Sequence, residues 1–276
     1  MFDTHCHLNF KAFAGKVDEV VDRTRKAGVN YFVVPGADVE TSKKAIEIAG
    51  KFAGIYAAVG IHPHHIYQYQ TSNIKNQKDK SNIKNDLKLI EELLVSPKVV
   101  AVGEVGLDRH YYQKTKYSNY QINEEFIELQ KEVLLTQLKL AKKYKKSIII
   151  HNREAKEDLL DILTTNYYLL STISIVFHCC EPDGELLSFA RKHKIFIGVD
   201  GDICYRKDKQ EFVKKIPLEL LVLETDSPFL SPFKKFPNEP KNLPLIASFM
   251  AAKIGISQNE LGRITEANSK KLFKIT

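Results

Sequence analysis

Short runs of apolar residues recur along the chain, separated by stretches in which apolar positions return every three or four residues. The runs are Tyr31 to Val34, Ile55 to Ile61, Val99 to Val102, Ser147 to Ile150, Ile173 to Phe177, Ile195 to Val199 and Leu220 to Leu223. With Phe2 to His5 they make eight. Several are continuously apolar, as parallel strands covered by helices are. Between them, Val17, Val20, Val21 and Thr24 share one helical face. Phe126, Leu129, Val133, Leu134, Leu138 and Ala141 share a longer one. Leu243 to Lys253 and Gln258 to Phe273 read as two closing helices. The pattern predicts an α/β chain folded as a (β/α)8 TIM barrel over residues 1–276, with C-terminal helices. An open doubly wound sheet is the other architecture it admits. No repeat or long linker marks a second domain.

Length and composition agree with one large core, since 43% of the 276 residues are hydrophobic. No segment approaches the roughly 18 continuous apolar residues of a membrane span. His5 and His7 stand where a signal peptide would carry its basic and apolar regions. A cytoplasmic monomer is therefore expected, with the nucleus left open. Cys6, Cys179, Cys180 and Cys204 fit neither a disulfide framework nor a paired zinc-knuckle spacing, so free thiols are expected. Net charge is +7, from 41 Lys and Arg against 34 Asp and Glu. That balance suits a polyanionic partner. Tyr67 to Asp86 is rich in Gln, Asn, Lys and Ser and reads as a solvated loop leading into a helix. Lys207, Lys209, Lys214 and Lys215 read as a solvated helix face.

The chemistry gathers where the apolar runs end. In a barrel, the C-terminal ends of the strands form the active site. The first run ends in His5 and His7, two residues apart, so on a strand both point the same way. The third leads into His62, His64 and His65. The fourth ends in Glu104, followed by Asp108. The fifth ends in His151, the sixth in His178, and the eighth in Glu224 and Asp226. Each has a plain alternative: His151 could cap a helix, and Asp226 could serve a turn before Pro228. Together they point to a metal centre. There are more donors than the roughly four that one zinc ion takes. Two divalent ions about 3.5–4 Å apart, sharing a carboxylate, would use them. Such a pair suits hydrolysis of phosphodiesters, amides or lactones alike. Glu224 reads as an inner-barrel hydrogen-bonding group. Arg109, His110, Tyr111 and Tyr112 follow the Glu104 run and would overhang the barrel mouth. Their tyrosines either stack on bases, worth about 1–3 kcal/mol each, or pack the loop onto the rim.

The motifs resemble the TatD family of metal-dependent deoxyribonucleases, in the amidohydrolase-like superfamily. The matching segments are Asp3-Thr4-His5-Cys6-His7-Leu8, Gly60-Ile61-His62-Pro63-His64 and Gly103-Glu104-Val105-Gly106-Leu107-Asp108. After these come Gln130, Gln137-Leu138, Ile149-Ile150-His151-Asn152-Arg153-Glu154-Ala155 and Glu224-Thr225-Asp226-Ser227-Pro228-Phe229-Leu230. Asn238-Glu239-Pro240 and Asn268-Ser269-Lys270-Lys271-Leu272-Phe273 complete the set, in family order along essentially the whole chain. The resemblance implies that His5, His7, Asp226 and a bridging Glu104 hold one ion. It implies that His151 and His178 hold a second with Glu104. His62 would stand near the scissile phosphate and His64 further out, with Asp226, Glu104 and His62 as the catalytic set. Arg109, Tyr111 and Tyr112 are the further candidates for substrate contact. The implied activity is metal-dependent hydrolysis of DNA from the 3′ end of single-stranded or frayed strands, with Mg²⁺ or Mn²⁺ in use and Zn²⁺ open. The alternative is a metallohydrolase of a small amide, lactone or phosphoester, or of an aminoacyl-tRNA ester. The chain departs from the family at Pro237, where an arginine is common and where Lys234 or Lys235 could supply the charge. It departs again at Cys179-Cys180-Glu181-Pro182 after His178, and in the length of the 67–86 segment.

Overall fold

A computed structural model describes residues 1–69, 80–117 and 120–276. Eight strands lie in one parallel sheet in sequence order. They are β1 (Phe2–Asp3), β2 (Tyr31–Pro35), β3 (Ile55–Val59), β4 (Val99–Asp108), β5 (Ser147–Arg153), β6 (Ile175–Phe177), β7 (Phe196–Val199) and β8 (Leu221–Leu223). The sheet curls until its edges meet. Thr4 N–H donates to the Leu223 carbonyl at 3.0 Å, and Asp226 N–H donates to the His5 carbonyl at 2.9 Å. The outer helices include α1 (Val17–Lys26), α2 (Val39–Lys51), α3 (Lys80–Leu93), α4 (Glu124–Lys143), α5 (Lys156–Thr165), α6 (Tyr167–Leu170), α7 (Gly184–His193) and α8 (Lys207–Val213). After β8 come α9 (Leu243–Ile254) and α10 (Gln258–Phe273). This is the TIM barrel expected from the pattern of apolar runs, and not the open sheet.

Alternation along the strands explains both core and site. Phe2, Val33, Ala58, Ala101, Ile149, Val176, Phe196 and Val222, one from each strand, form a small buried cluster with Leu272 and Phe273 of α10. Their neighbours in sequence, such as Phe32, Val34, Ile148 and Ile150, belong to the larger core with the helices. Two residues further along the first face, the period of a strand delivers His151 after Ile149, His178 after Val176 and Glu224 after Val222. The same face that is apolar at the bottom of the barrel is therefore polar at its top.

Two glutamines of α4 fix the strand ends that carry the site. Gln137 accepts from Ile61 N–H at 2.8 Å and donates to the Ile61 carbonyl at 3.2 Å. Gln130 does the same for Asp108, at 2.8 and 3.0 Å. Both are fully buried, and each satisfies the backbone N–H and carbonyl of one residue, Ile61 past the end of β3 and Asp108 at the end of β4. The helix itself starts at Asn123, whose side chain accepts from Phe126 N–H at 2.9 Å.

Two expectations from the sequence are corrected. Tyr67 and Tyr69 are not in a solvated loop: they are buried in a 3-10 helix, Pro63–Tyr69, where Tyr67 packs on Tyr117, Tyr120 and Phe126. The middle of that segment, 70–79, lies outside the described residues. Lys209 is 2% exposed, not on a solvated face. Its ammonium lies 2.7 Å from Asp200 and 2.8 Å from Asp202, which gives a charge there a reason to be buried. Among the described residues, no helix is long and apolar enough to cross a membrane. All four cysteines are free.

Candidate metal centre

The residues that end the strands meet at one point. The backbone past β1 brings His5 and His7 together with their Nε2 atoms 3.1 Å apart. Glu104 of β4 divides its two oxygens between two groups of imidazoles. Its Oε2 is 3.3 Å from His5 Nε2 and 3.5 Å from His7 Nε2. Its Oε1 is 2.8 Å from His151 Nδ1, 3.3 Å from His62 Nε2 and 3.6 Å from His178 Nε2. Asp226 Oδ1 lies between the groups, 3.5 Å from His7, 3.8 Å from His5 and 3.9 Å from His178. Glu104, His5, His7, His178 and Asp226 are all buried.

The far nitrogen of most of these rings is held from behind. His178 Nδ1 lies 3.2 Å from Glu224 Oε1, and His151 Nε2 is 3.2 Å from Asp108 Oδ2. His7 Nδ1 is 3.3 Å from the Pro35 carbonyl. An oxygen behind the outer nitrogen fixes both ring orientation and tautomer, and leaves the inner nitrogen's lone pair free. Glu224 is itself held by Thr4 Oγ1 at 3.2 Å and Cys179 N–H at 2.5 Å. Gly198 opposite makes room for it, since a Cβ there would collide with the carboxylate. Asp108 also accepts from Tyr112 O–H at 2.7 Å and His110 N–H at 2.8 Å. Asp3 ties the two ends of the barrel together. It accepts from His5 N–H, Thr225 N–H and Thr225 O–H at 3.2, 3.0 and 2.6 Å.

The charges follow from burial set against these partners. Burial opposes ionisation of Glu104, but His62, His178 and His5 hold it well below the usual carboxylate range. Burial likewise opposes charge on His7, yet Asp226 and Glu104 outweigh it and push the ring up to about 9. His178 rises to about 9 on Glu224 and Glu104, against burial. His151 rises to about 10 on Asp108 and Glu104, again against burial. His5 falls to about 4 through burial and the neighbouring His178. Carboxylates that raise these rings' affinity for protons would equally favour a divalent cation in the protons' place.

The donor set fits such cations. Four donors about 2.0–2.1 Å from a common ion stand roughly 3.3–3.4 Å from one another. The separations among His5, His7 and Glu104 are 3.1, 3.3 and 3.5 Å. Cys179 lies beside His178 and Asp226 but is a poor donor. Burial and the Asp200 and Glu224 carboxylates push its thiol well up, so it keeps its proton. His62 is also set apart. Its Nδ1 accepts from His64 N–H at 3.1 Å, so in the neutral ring the proton is on Nε2, which faces inward as a donor.

The cluster opens into a cavity of about 740 Å³. His62, His64, Tyr112 and Arg153 line one side, with Phe10, Phe229, Asp202 and Arg206 elsewhere on its wall. His64 Nε2 pairs with Thr115 Oγ1 at 3.0 Å, further from Glu104 than His62. Two of the expected contacts do not face the cavity. Arg109 is turned away, its Nε 2.7 Å from Asp158 and its Nη1 3.0 Å from Glu124. Tyr111 is 57% exposed and sits beside Tyr120 outside the lining. Asp108, expected among the strand-end donors, stands instead behind His151, on the same strand face as Glu104 four residues before it.

Comparison with known proteins places this geometry. Residues 2–274 match the family described as TatD related DNase. A metal-dependent hydrolase of Bacillus subtilis, YabD, is 33% identical over 100% of this chain and 99% of its own. The 3′-5′ ssDNA/RNA exonuclease TatD of Escherichia coli K12 is 30% identical over 100% of this chain and 99% of its own. The crystal structure of YJJV, a TatD homologue from the same organism, superposes with a TM-score of 0.83 at 27% identity, covering 100% of this chain and 98% of that one.

Proposed function

The chain belongs to the TatD family of metal-dependent hydrolases, and from that premise we propose that it cuts single-stranded DNA from the 3′ end at a two-cation centre. The division of Glu104 carries the reading, because its two oxygens face separate imidazole groups. His5, His7 and Asp226 would hold one cation with Glu104 Oε2. His151 and His178 would hold the other with Glu104 Oε1. Divalent cations bound there would act as Lewis acids on the phosphoryl group and lower the pKa of the attacking water. Mg²⁺ or Mn²⁺ is the proposed pair, with Zn²⁺ favoured by the imidazole content and the donor spacing.

The side chains supply the rest. Asp226, at the cavity wall, accepts the proton of the attacking water and orients it. His62 donates its Nε2 proton to a phosphoryl oxygen, a role supported by the backbone N–H that occupies its Nδ1. Glu224 and Asp108 keep His178 and His151 in register. RNA enters the same cavity in this reading, since no residue is assigned to the sugar 2′ position, and the E. coli relative is named for both nucleic acids.

The test is a comparison on one chelated and reloaded preparation. Single-stranded DNA labelled at either end, blunt duplex, single-stranded RNA and bis-p-nitrophenyl phosphate are offered with Mg²⁺ or Mn²⁺. Loss of the 3′ label first, with duplex cut slowest, is expected. A small ester or an aminoacyl-tRNA turned over far faster than any oligonucleotide would replace the nuclease reading with that of a small-ester hydrolase.

A further inference from the structure

A row of rings leaves the centre toward solvent. His7 stacks on Phe10 with centroids 4.1 Å apart and planes 16° off parallel. Phe10 meets Phe229 at 6.2 Å, and Phe229 meets Phe236 at 6.2 Å. Exposure grows outward, from 45% at Phe229 to 58% at Phe233 and 69% at Phe236. Among the described residues these are the exposed phenylalanines, and all come from one loop after β8. Large apolar side chains left in water so close together mark a surface that something covers.

The loop holds its rings in place. Asn238 is fully buried; it donates to the Thr225 carbonyl at 2.9 Å through its side chain, and to the Pro228 carbonyl at 2.8 Å through its backbone. Ser231, also buried, accepts Phe233 N–H on its hydroxyl at 3.2 Å and Lys234 N–H on its carbonyl at 3.0 Å. Beneath, Gly201 lets the loop settle, because a Cβ there would collide with the Leu230 carbonyl and press on Pro232. Between the outer rings stand Lys234 and Lys235. Both are exposed, and neither has a carboxylate partner among the described residues. Lys234 instead sits 4.5 Å over the Tyr205 ring.

We propose that Phe229, Phe233 and Phe236, with Lys234 and Lys235, form a platform that binds the unpaired strand of the substrate leading away from the scissile bond. The inference deepens the nuclease reading and rests on it. Aromatic faces stack any base without choosing a sequence, and the lysines meet the phosphates between them. Continuity with the cavity, through Phe10 and Phe229, selects the substrate's own strand as the occupant.

The experiment measures binding of a fluorescein-labelled single-stranded 12-mer to the whole protein in chelator, by anisotropy. F233A/F236A is expected to weaken binding about fivefold or more, and F233Y/F236Y to restore it. K234Q/K235Q is expected to flatten the slope of log Kd against log salt by about 1.4, for two phosphates on a single strand. With metal restored, the F233A/F236A loss falls on KM for the 12-mer and much less on a dinucleotide. An unchanged Kd in the alanine variant, with circular dichroism confirming the fold, overturns the platform while leaving the nuclease reading intact. A wild-type protein that neither binds nor cuts the 12-mer but hydrolyses a small ester removes both. A patch covered by a second copy would appear in light scattering as a wild-type dimer that the alanine variant dissociates, and that too overturns the proposal.

Discussion

Replacing Asp108 by Asn tests whether the carboxylate behind His151 prepares it to receive a cation. Asp108 accepts from three groups: His151 at 3.2 Å, Tyr112 at 2.7 Å and His110 N–H at 2.8 Å. In the variant, the amide oxygen can keep the His110 N–H. The amide nitrogen then faces His151 Nε2 as a donor. His151 can answer only by moving its proton to Nδ1, the atom 2.8 Å from Glu104 Oε1. The inner lone pair would be lost. Removing a hydrogen bond to a charged group is worth about 1.5–3 kcal/mol, and outer partners of metal-holding histidines shift affinity by about 10–100-fold. These agree, since each tenfold is about 1.4 kcal/mol. Asp108→Ala leaves Nε2 to water and imposes no wrong tautomer, so it should do less harm than Asn. Titration calorimetry with Mn²⁺ after chelation should show two phases in the wild type. The phase owed to His151 and His178 should weaken in the order wild type, Ala, Asn, while the other holds. Two unchanged phases in Asp108→Asn, or Ala worse than Asn with the fold intact, would refute the reasoning.

Glu104→Gln should remove both phases, because each oxygen serves one group, and with them the Tm gain on adding Mn²⁺. For ion at about 100 times its Kd that gain corresponds to about 2.7 kcal/mol. Differential scanning fluorimetry with and without Mn²⁺ reads it. Asp226→Asn should lower kcat by roughly 10²-fold or more, the scale of a lost general base, and single-turnover cleavage at the wild-type rate would clear Asp226 of that role. Lys209→Met strands Asp200, which is fully buried, and should cost about 3–5 kcal/mol in urea unfolding at pH 7. Burial resists the charge on Asp200, but Lys209 holds its pKa below the usual value. Its stabilisation is therefore present above the unfolded pKa of about 3.9 and lost as pH falls through the folded value. In the variant burial acts on Asp200 without Lys209 to oppose it and raises its pKa, so the deficit should shrink as pH falls from 7 toward 4, and a deficit constant over that range would count against the pairing.

The donors were legible because each interrupts an apolar run at its C-terminal end, and a strand's period of two carries the face of Ile149 to His151 and of Val176 to His178. The closing helix was legible from Gln258 to Phe273, although Thr265, Asn268 and Ser269 interrupt the apolar residues on its buried face. The supports were not. Asp108 and His151 are 43 residues apart, and nothing local to either says that they meet. Gln130 and Gln137 look like ordinary polar positions on α4 until the backbone of two strand ends is found to need them. The chain between Ser227 and Asn238 has no periodicity at all, so the exposure of Phe233 and Phe236 had no sequence pattern to announce it.

Charge shows the same gap between composition and geometry. A net +7 suggests a polyanion but not where it would lie. Arg109, beside the Glu104 motif, was a candidate for substrate contact, yet Asp158 and Glu124 neutralise it. Arg206 reaches the cavity wall, but Glu181, Asp202 and Asp208 surround its guanidinium. Arg153, at the end of β5, instead lines the cavity with its guanidinium 5.2 Å over the Tyr112 ring and no carboxylate partner among the described residues. Lys234 and Lys235, on the loop that carries Phe229, likewise have no carboxylate partner among the described residues. An attacked strand meets only the positive charge that the protein has not already answered. Among the described residues, Arg153 at the cavity wall and Lys234 and Lys235 on the loop that carries Phe229 are cations left free to meet it.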